Sequence, residues 1–211
     1  IYVLTLFIGD ISHLISTLIL IHTIQKNKSP KGISLKTQIL YAIVCISRYL
    51  DIFTYINLYL TCMKFFFIST SIYVIYLMNK YQPKIKESND NFPIVYLLVP
   101  SFILGCIFNY ELSIIEVFWS FSLFLESVCI LPQLFLLQKT GEAESLTTHY
   151  IFALGIYRAL YIPNWIYRYY VEGRFDKLSI ITGVVQTLIY SDFFYVYYQK
   201  IVKNFKFSLP Q

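Results

Sequence analysis

Charge is what this chain has least of. Only 14% of its residues are Asp, Glu, Lys or Arg, against about a quarter in an ordinary soluble domain. With 57% hydrophobic residues and a mean hydropathy of +0.59, that scarcity argues against a soluble fold. Cysteine is sparse as well. Cys45, Cys62, Cys106 and Cys129 each lie in or beside an apolar run and none forms a CxxC pair, which excludes a disulfide framework or a thiolate metal site and leaves small buried hydrophobes. HExxH, GxSxG and metal-spaced Cys/His clusters are all missing, so the sequence implies no enzyme, no metal and no other cofactor. Basic residues are too thinly spread to suggest nucleic-acid binding, and no secretory signal with a cleavage site is read.

The apolar residues gather instead into runs near the ~20 residues that cross a bilayer as a helix. Seven spans are expected, at 2–24, 34–53, 55–79, 93–109, 113–137, 148–170 and 179–201, separated by polar punctuation: QKNKSPKG, NKYQPKIKESNDNFP, QKTGEAES and VEGRFDK. No stretch reads as a second domain, so residues 1–211 form one all-α transmembrane domain. Lys26, Lys28, Lys31 and Lys36 flank the first loop, Lys80, Lys84 and Lys86 the third, Lys139 the fifth, and Lys200, Lys203 and Lys206 the tail. Arg174, Lys177 and Lys64 oppose them. Positive charge marks the cytosolic side, so the N-terminus is expected in the lumen or exterior and the C-terminus in the cytosol. KSPKGISLKT (28–37) and KTGEAESLTT (139–148) share the pattern Lys-Ser/Thr-x4-Ser-Leu-x-Thr, with Ala42 and Ala153 at the same offset. Residues 1–79 and 113–201 therefore read as two parallel three-helix units joined by a connector helix at 93–109, the arrangement of SWEET-type folds.

Against this background, the ionisable residues inside the spans stand out: Asp10, His13, Arg48, Asp51, Glu116, Glu126, Arg158, Arg168 and Asp192. A charge at the bilayer centre costs ~2.5–3.5 kcal/mol on insertion scales, so these groups should turn inward. Helical spacing places Arg48 with Asp51, and Glu116 with Trp119, on common faces, and aligns Tyr157, Tyr161, Trp165 and Arg168 in one stripe. The expected result is a lumen-facing cavity of mixed charge, floored by a Glu126–Arg158 pair. Internal ion pairs that merely hold helices together are the plainer reading of the same residues. Asp10 fits helix packing. His13 fits either a hydrogen-bonded packing residue or a pH sensor, because histidine alone changes charge between neutral and mildly acidic pH at its ordinary pKa. His22 and His149 read as surface residues near cytosolic ends.

GDISHL (9–14), SRYLDIF (47–53), FWSFSLFLESVCILPQLF (118–135), KTGEAESLTTHY (139–150), YRALYIPNW (157–165), GVVQTLIYSDFFY (183–195) and SLP (208–210) together resemble the KDEL receptor family, across essentially the whole chain. Pro132-Gln133 is also similar to the wider PQ-loop and SWEET class. The resemblance implies a pH-dependent receptor of endoplasmic-reticulum and Golgi membranes. It would bind the C-terminal KDEL/HDEL-type tetrapeptide of lumenal cargo in the Golgi and return that cargo to the endoplasmic reticulum. It assigns Arg48 to the terminal carboxylate, Arg168 to an acidic side chain, Asp51 and Glu116 to the basic first position, Trp119 and Trp165 to packing, and Tyr161 to a hydrogen bond. It assigns His13, Glu126, Tyr157 and Arg158 to a proton-linked switch, places Asp192 on the last helix near the route to the cytosol, and gives Lys203 and Lys206 to the COPI coat. Membrane lipids are the remaining partner.

Two positions depart from the family pattern. Leu6 stands where the family carries Arg, so either the preferred signal differs, another group such as Lys64 compensates, or binding is weaker; Glu111 stands for the usual Asp. A PQ-loop or SWEET-like transporter of a small amino acid or sugar is the rival reading. The parallel repeat favours it, while the number of charges argues against a neutral sugar.

Overall fold

The computed structural model describes residues 2–30, 32–52, 58–81, 90–140, 154–155, 162, 166, 169–171, 173 and 176–197, without the side chains of 2–8, 140, 192–194 and 196–197. Among the described residues every regular element is a helix: α1 (Tyr2–Asn27), α2 (Leu35–Arg48), α3 (Leu58–Tyr81), α4 (Val95–Ile107), α5 (Ile114–Val128), α6 (Leu131–Thr140) and α7 (Lys177–Tyr197). Leu154, Gly155, Ile162, Ile166 and Tyr169 to Val171 are helical too.

The helix starts follow local chemistry. Ser34 caps α2, its Oγ accepting the Thr37 N–H at 3.2 Å. Ser113 caps α5 by accepting the Glu116 N–H at 3.2 Å, with Glu116 in the acidic position of a capping box. Asp176 caps α7, accepting the Ser179 N–H at 3.1 Å and the Ser179 hydroxyl at 2.6 Å. Two helix ends differ from the sequence expectation. The second span runs only to Arg48 and not to residue 53; Tyr49 N–H still bonds the Cys45 carbonyl at 3.1 Å, and a turn from Tyr49 to Ile52 then leads the chain away. The fifth span is two helices, broken at Cys129–Ile130. Pro132 explains the break, because it offers no N–H to the Val128 carbonyl and its ring crowds that group.

α2 and α5 are the inner elements. α2 packs on α3, α5 and α6, while α5 packs on α2, α4 and α7; α1 lies on α3. Seven residues of α5, from Ser120 to Phe121, Ser122, Leu123, Leu125, Glu126 and Ser127, are buried. Leu20, Ile24, Leu40, Val74, Leu125, Ile130 and Tyr190 lie in the core cluster between these helices. The closest approach is between α4 and α5. A Cβ on Gly105 would stand 2.7 Å from the Phe121 backbone nitrogen, so only glycine fits. α4 keeps Val95, Tyr96, Val99, Ile103 and Ile107 exposed, as a lipid-facing helix must. Among the described residues, two segments, Leu58–Tyr81 and Ile114–Lys139, are long and apolar enough to cross a membrane by themselves; the first is 11% buried inside the protein and the second 50%, which puts α3 at the periphery and α5 inside.

At the end where α2 begins, three segments are tied together by polar side chains. Gln133, fully buried, accepts the Ser34 N–H at 2.7 Å and donates to the Gly32 carbonyl at 2.8 Å. The Asp90 carboxylate accepts the Ser34 hydroxyl at 3.0 Å and the Lys36 N–H at 3.3 Å, while Lys36 Nζ donates to the Phe92 carbonyl at 2.8 Å. A carboxylate at a helix N-terminus is favoured by the helix dipole, so Asp90 closes α2 much as Asp176 closes α7.

Candidate functional site

Arg48, the last residue of α2, is the centre of the site. Its guanidinium reaches across to α5, where Nε donates to Ser122 Oγ at 3.1 Å and Nη2 pairs with Glu126 Oε2 at 2.5 Å. The Glu126 side chain is 5% exposed and that of Arg48 20%, so the carboxylate is buried and the guanidinium partly so. Ser122 and Glu126 are one helical turn apart on one face of α5, which is why a single arginine meets both. Ser122 Oγ in turn donates to the Trp119 carbonyl at 2.6 Å.

Arg48 and Asp51 do not share a helix face, as their spacing suggested, because α2 has already ended. Asp51 lies in the turn beyond and pairs with Lys64 of α3 at 2.7 Å. Trp119 lies on α5, with its ring 6.3 Å from that of Tyr110. Tyr110 donates to Asp176 at 2.8 Å, joining the loop after α4 to the start of α7. Burial, with the Asp176 carboxylate adding to it, raises the Tyr110 phenol above its ordinary pKa, so it stays protonated as a donor through neutral pH. Glu116 lies near Glu111 and Asp176, an acidic edge one helical turn from Trp119.

On α1, Asp10 accepts the Tyr59 hydroxyl at 2.9 Å, a helix-packing contact with α3. His13 stacks on Phe67 with ring centroids 4.7 Å apart. It borders a cavity of about 30 Å³ that it shares with Thr17, Gln38, Tyr41, Cys45 and Ser71, large enough for a water and polar enough to hold one. Tyr41 also shares a 2.9 Å hydrogen bond with Tyr190 of α7.

Of the residues expected in the site, the structure thus brings Arg48, Trp119 and Glu126 together around α5, with Glu116 a turn away; Asp51 stands just beyond with Lys64, and His13 lies on α1. Arg48 pairs with Glu126; the Arg158 expected as the partner of Glu126 lies outside the described residues. Tyr157, Arg158, Tyr161, Trp165, Arg168, Lys203 and Lys206 lie outside the described residues, as do residues 141–148 of the internal echo and the Asp192 side chain. Sequence reasoning missed Ser122, Asp90 and Asp176. The Ser113-x-x-Glu116 and Asp176-x-x-Ser179 spacings carried cap signals, whereas a lone serine in an apolar helix carried none.

Exposed apolar helices and a cation–carboxylate pair in the interior, at the end of a short helix, fit a helical membrane protein. The profile of the family described as ER lumen protein retaining receptor matches residues 29–168. The chain is 60% identical over 213 aligned residues to the ER lumen protein-retaining receptor of Kluyveromyces lactis, covering 96% of each chain. It is 52% identical to that of Drosophila melanogaster, covering 97% of each, and 50% identical to receptor 2 of Gallus gallus, covering 96% of each. The chain belongs to the ER lumen protein retaining receptor family, the KDEL receptors, which are receptors and not enzymes.

Proposed function

We propose that the protein captures escaped lumenal proteins in the Golgi by their C-terminal KDEL/HDEL-type tetrapeptide and returns them to the endoplasmic reticulum. The observation that carries this reading is Arg48, a cation held at two points by α5 at the end of a helix too short to cross the bilayer. The 14 residues of α2 span about 21 Å at 1.5 Å each, less than the ~30 Å hydrocarbon thickness. Irregular backbone at that depth is tolerated where it is buried or lines a watery hollow. The turn from Tyr49 to Ile52 then forms part of a recess, with Arg48 at its floor and Trp119, Glu116 and Asp51 around it. A peptide carboxylate would take the guanidinium fork, replacing or sharing Glu126.

The wider arrangement is seven spans in two parallel three-helix units joined by α4, with the N-terminus lumenal and the C-terminus cytosolic, in endoplasmic-reticulum and Golgi membranes. Tyr161, Trp165 and Arg168 complete the peptide site. His13, Tyr157, Glu126, Arg158 and Asp192 couple it to protonation and to the last helix. Lys203 and Lys206 recruit the COPI coat. The sign of the pH effect follows from linkage. If binding draws a proton onto His13, protonation strengthens binding by the same factor, and affinity falls as pH rises from Golgi to endoplasmic-reticulum values. With Leu6 in span 1, Lys64, which pairs with Asp51, is the cation proposed for the second acidic side chain of the signal.

The test is uptake against binding. Purified chain in proteoliposomes should bind a free Lys-Asp-Glu-Leu peptide more tightly at about pH 5.5 than at neutral pH without moving it across the bilayer. Accumulation of an amino acid inside the vesicles, with no peptide binding, would make the transporter reading the correct one.

A further inference from the structure

We infer that Ser122 is a positioning residue for Arg48, fixing the plane in which the guanidinium meets a ligand carboxylate. The inference rests on the role proposed above for Arg48 and adds what aims it. Ser122 is fully buried on α5. Its hydroxyl proton is committed to the Trp119 carbonyl at 2.6 Å. The oxygen is left with acceptor capacity alone, and Arg48 Nε donates into it at 3.1 Å. Back-bonding of a helical serine to a carbonyl three or four residues earlier is common, and Ser47 and Ser127 do it here. Ser122 also receives a cationic donor from another helix.

The consequence lies in guanidinium geometry. The group is planar, and its N–H bonds point in fixed directions. Anchoring Nε to Ser122 while Glu126 meets Nη2 fixes the plane by two points on one edge. An unoriented cation attracts a carboxylate from any side and tolerates an amide poorly but unspecifically. An oriented fork rewards two acceptor oxygens in its own plane. Ser122 therefore acts on the discrimination between a free C-terminus and a blocked one, more than on affinity in general. Because its proton goes to Trp119, the same hydroxyl also ties the orientation of Arg48 to the turn of α5 that carries the tryptophan.

The experiment measures binding of free Lys-Asp-Glu-Leu peptide and its C-terminally amidated twin to the full-length chain in detergent. Ser122→Ala should weaken the free acid about tenfold, roughly one such step of binding free energy, and leave the amide unchanged, so the acid-to-amide ratio falls. Ser122→Thr, which keeps the hydroxyl, should keep the ratio. Ser122→Cys, a poor acceptor of the same shape and slightly larger size, serves in place of the alanine variant should that fail to fold. A loss shared equally by both peptides, or a threonine variant that behaves like alanine, overturns the inference. Arg48→Gln tests the underlying reading separately: it should abolish the ratio. A ratio that survives in Arg48→Gln removes the carboxylate role itself, whatever Ser122 does.

Discussion

Arg48 and Glu126 each lie in an apolar run, and their cost in a membrane makes them conspicuous before any coordinates are known. Their pairing was not legible. Span depths drew attention to Arg158 as a partner of Glu126, and the short α2 brings Arg48 to the same carboxylate. Lone buried charges are costly, so removing one member of such a pair typically costs about 3–5 kcal/mol. Glu126→Ala should lower the unfolding temperature in detergent accordingly, and more than Glu126→Gln, which keeps a hydrogen-bond acceptor for Arg48. Gln133 makes a similar case without charge. Its two bonds satisfy the Ser34 N–H and the Gly32 carbonyl inside the protein. Gln133→Ala leaves both unpaired at about 1–3 kcal/mol for each group, and thermal melting should register the loss. The sequence flagged Pro132-Gln133 as a likeness to another class; only contact with the first loop gives the glutamine its work.

Helix beginnings were easier to foresee than helix ends. α2 begins at Ser34 and α5 at Ser113, each a serine placed to cap, within a residue of expectation. α2 ends without glycine or proline, at the stretch Tyr49-Leu50-Asp51-Ile52, so no breaker residue announced the stop. Its early end separates Arg48 from Asp51 and hands Asp51 to Lys64. The break in the fifth span could have been read from Pro132, and the run of apolar residues through it concealed the signal. Between elements, Gly105 sets how closely α4 approaches α5. Gly105→Ala places a methyl against the Phe121 backbone, which cannot yield as a side-chain tip would. A loss of about 1–3 kcal/mol, the usual cost of overpacking, is expected in thermal unfolding of the variant, while an unchanged melting temperature would mean that the two helices part freely.

At the scale of the molecule, the proposed function links peptide capture at Arg48 to the basic residues Lys203 and Lys206 of the tail. The family and its helical character were legible in scattered motifs that run the length of the chain. If Lys203 and Lys206 serve retrieval and not peptide binding, replacing both with alanine should strand the receptor in the Golgi, as seen by microscopy, and leave peptide affinity within about twofold of wild type, well under 1 kcal/mol. Loss of affinity in that variant would place the tail in the binding machinery instead.

The most direct measurement is calorimetric titration of the full-length wild type and Arg48→Gln with Lys-Asp-Glu-Leu peptide at about pH 5.5, where histidine is mostly protonated. Saturable binding at one site is expected in the wild type and none in the variant. Equal binding by both proteins would contradict it, because the cation at the end of α2 would then have no part in recognising cargo.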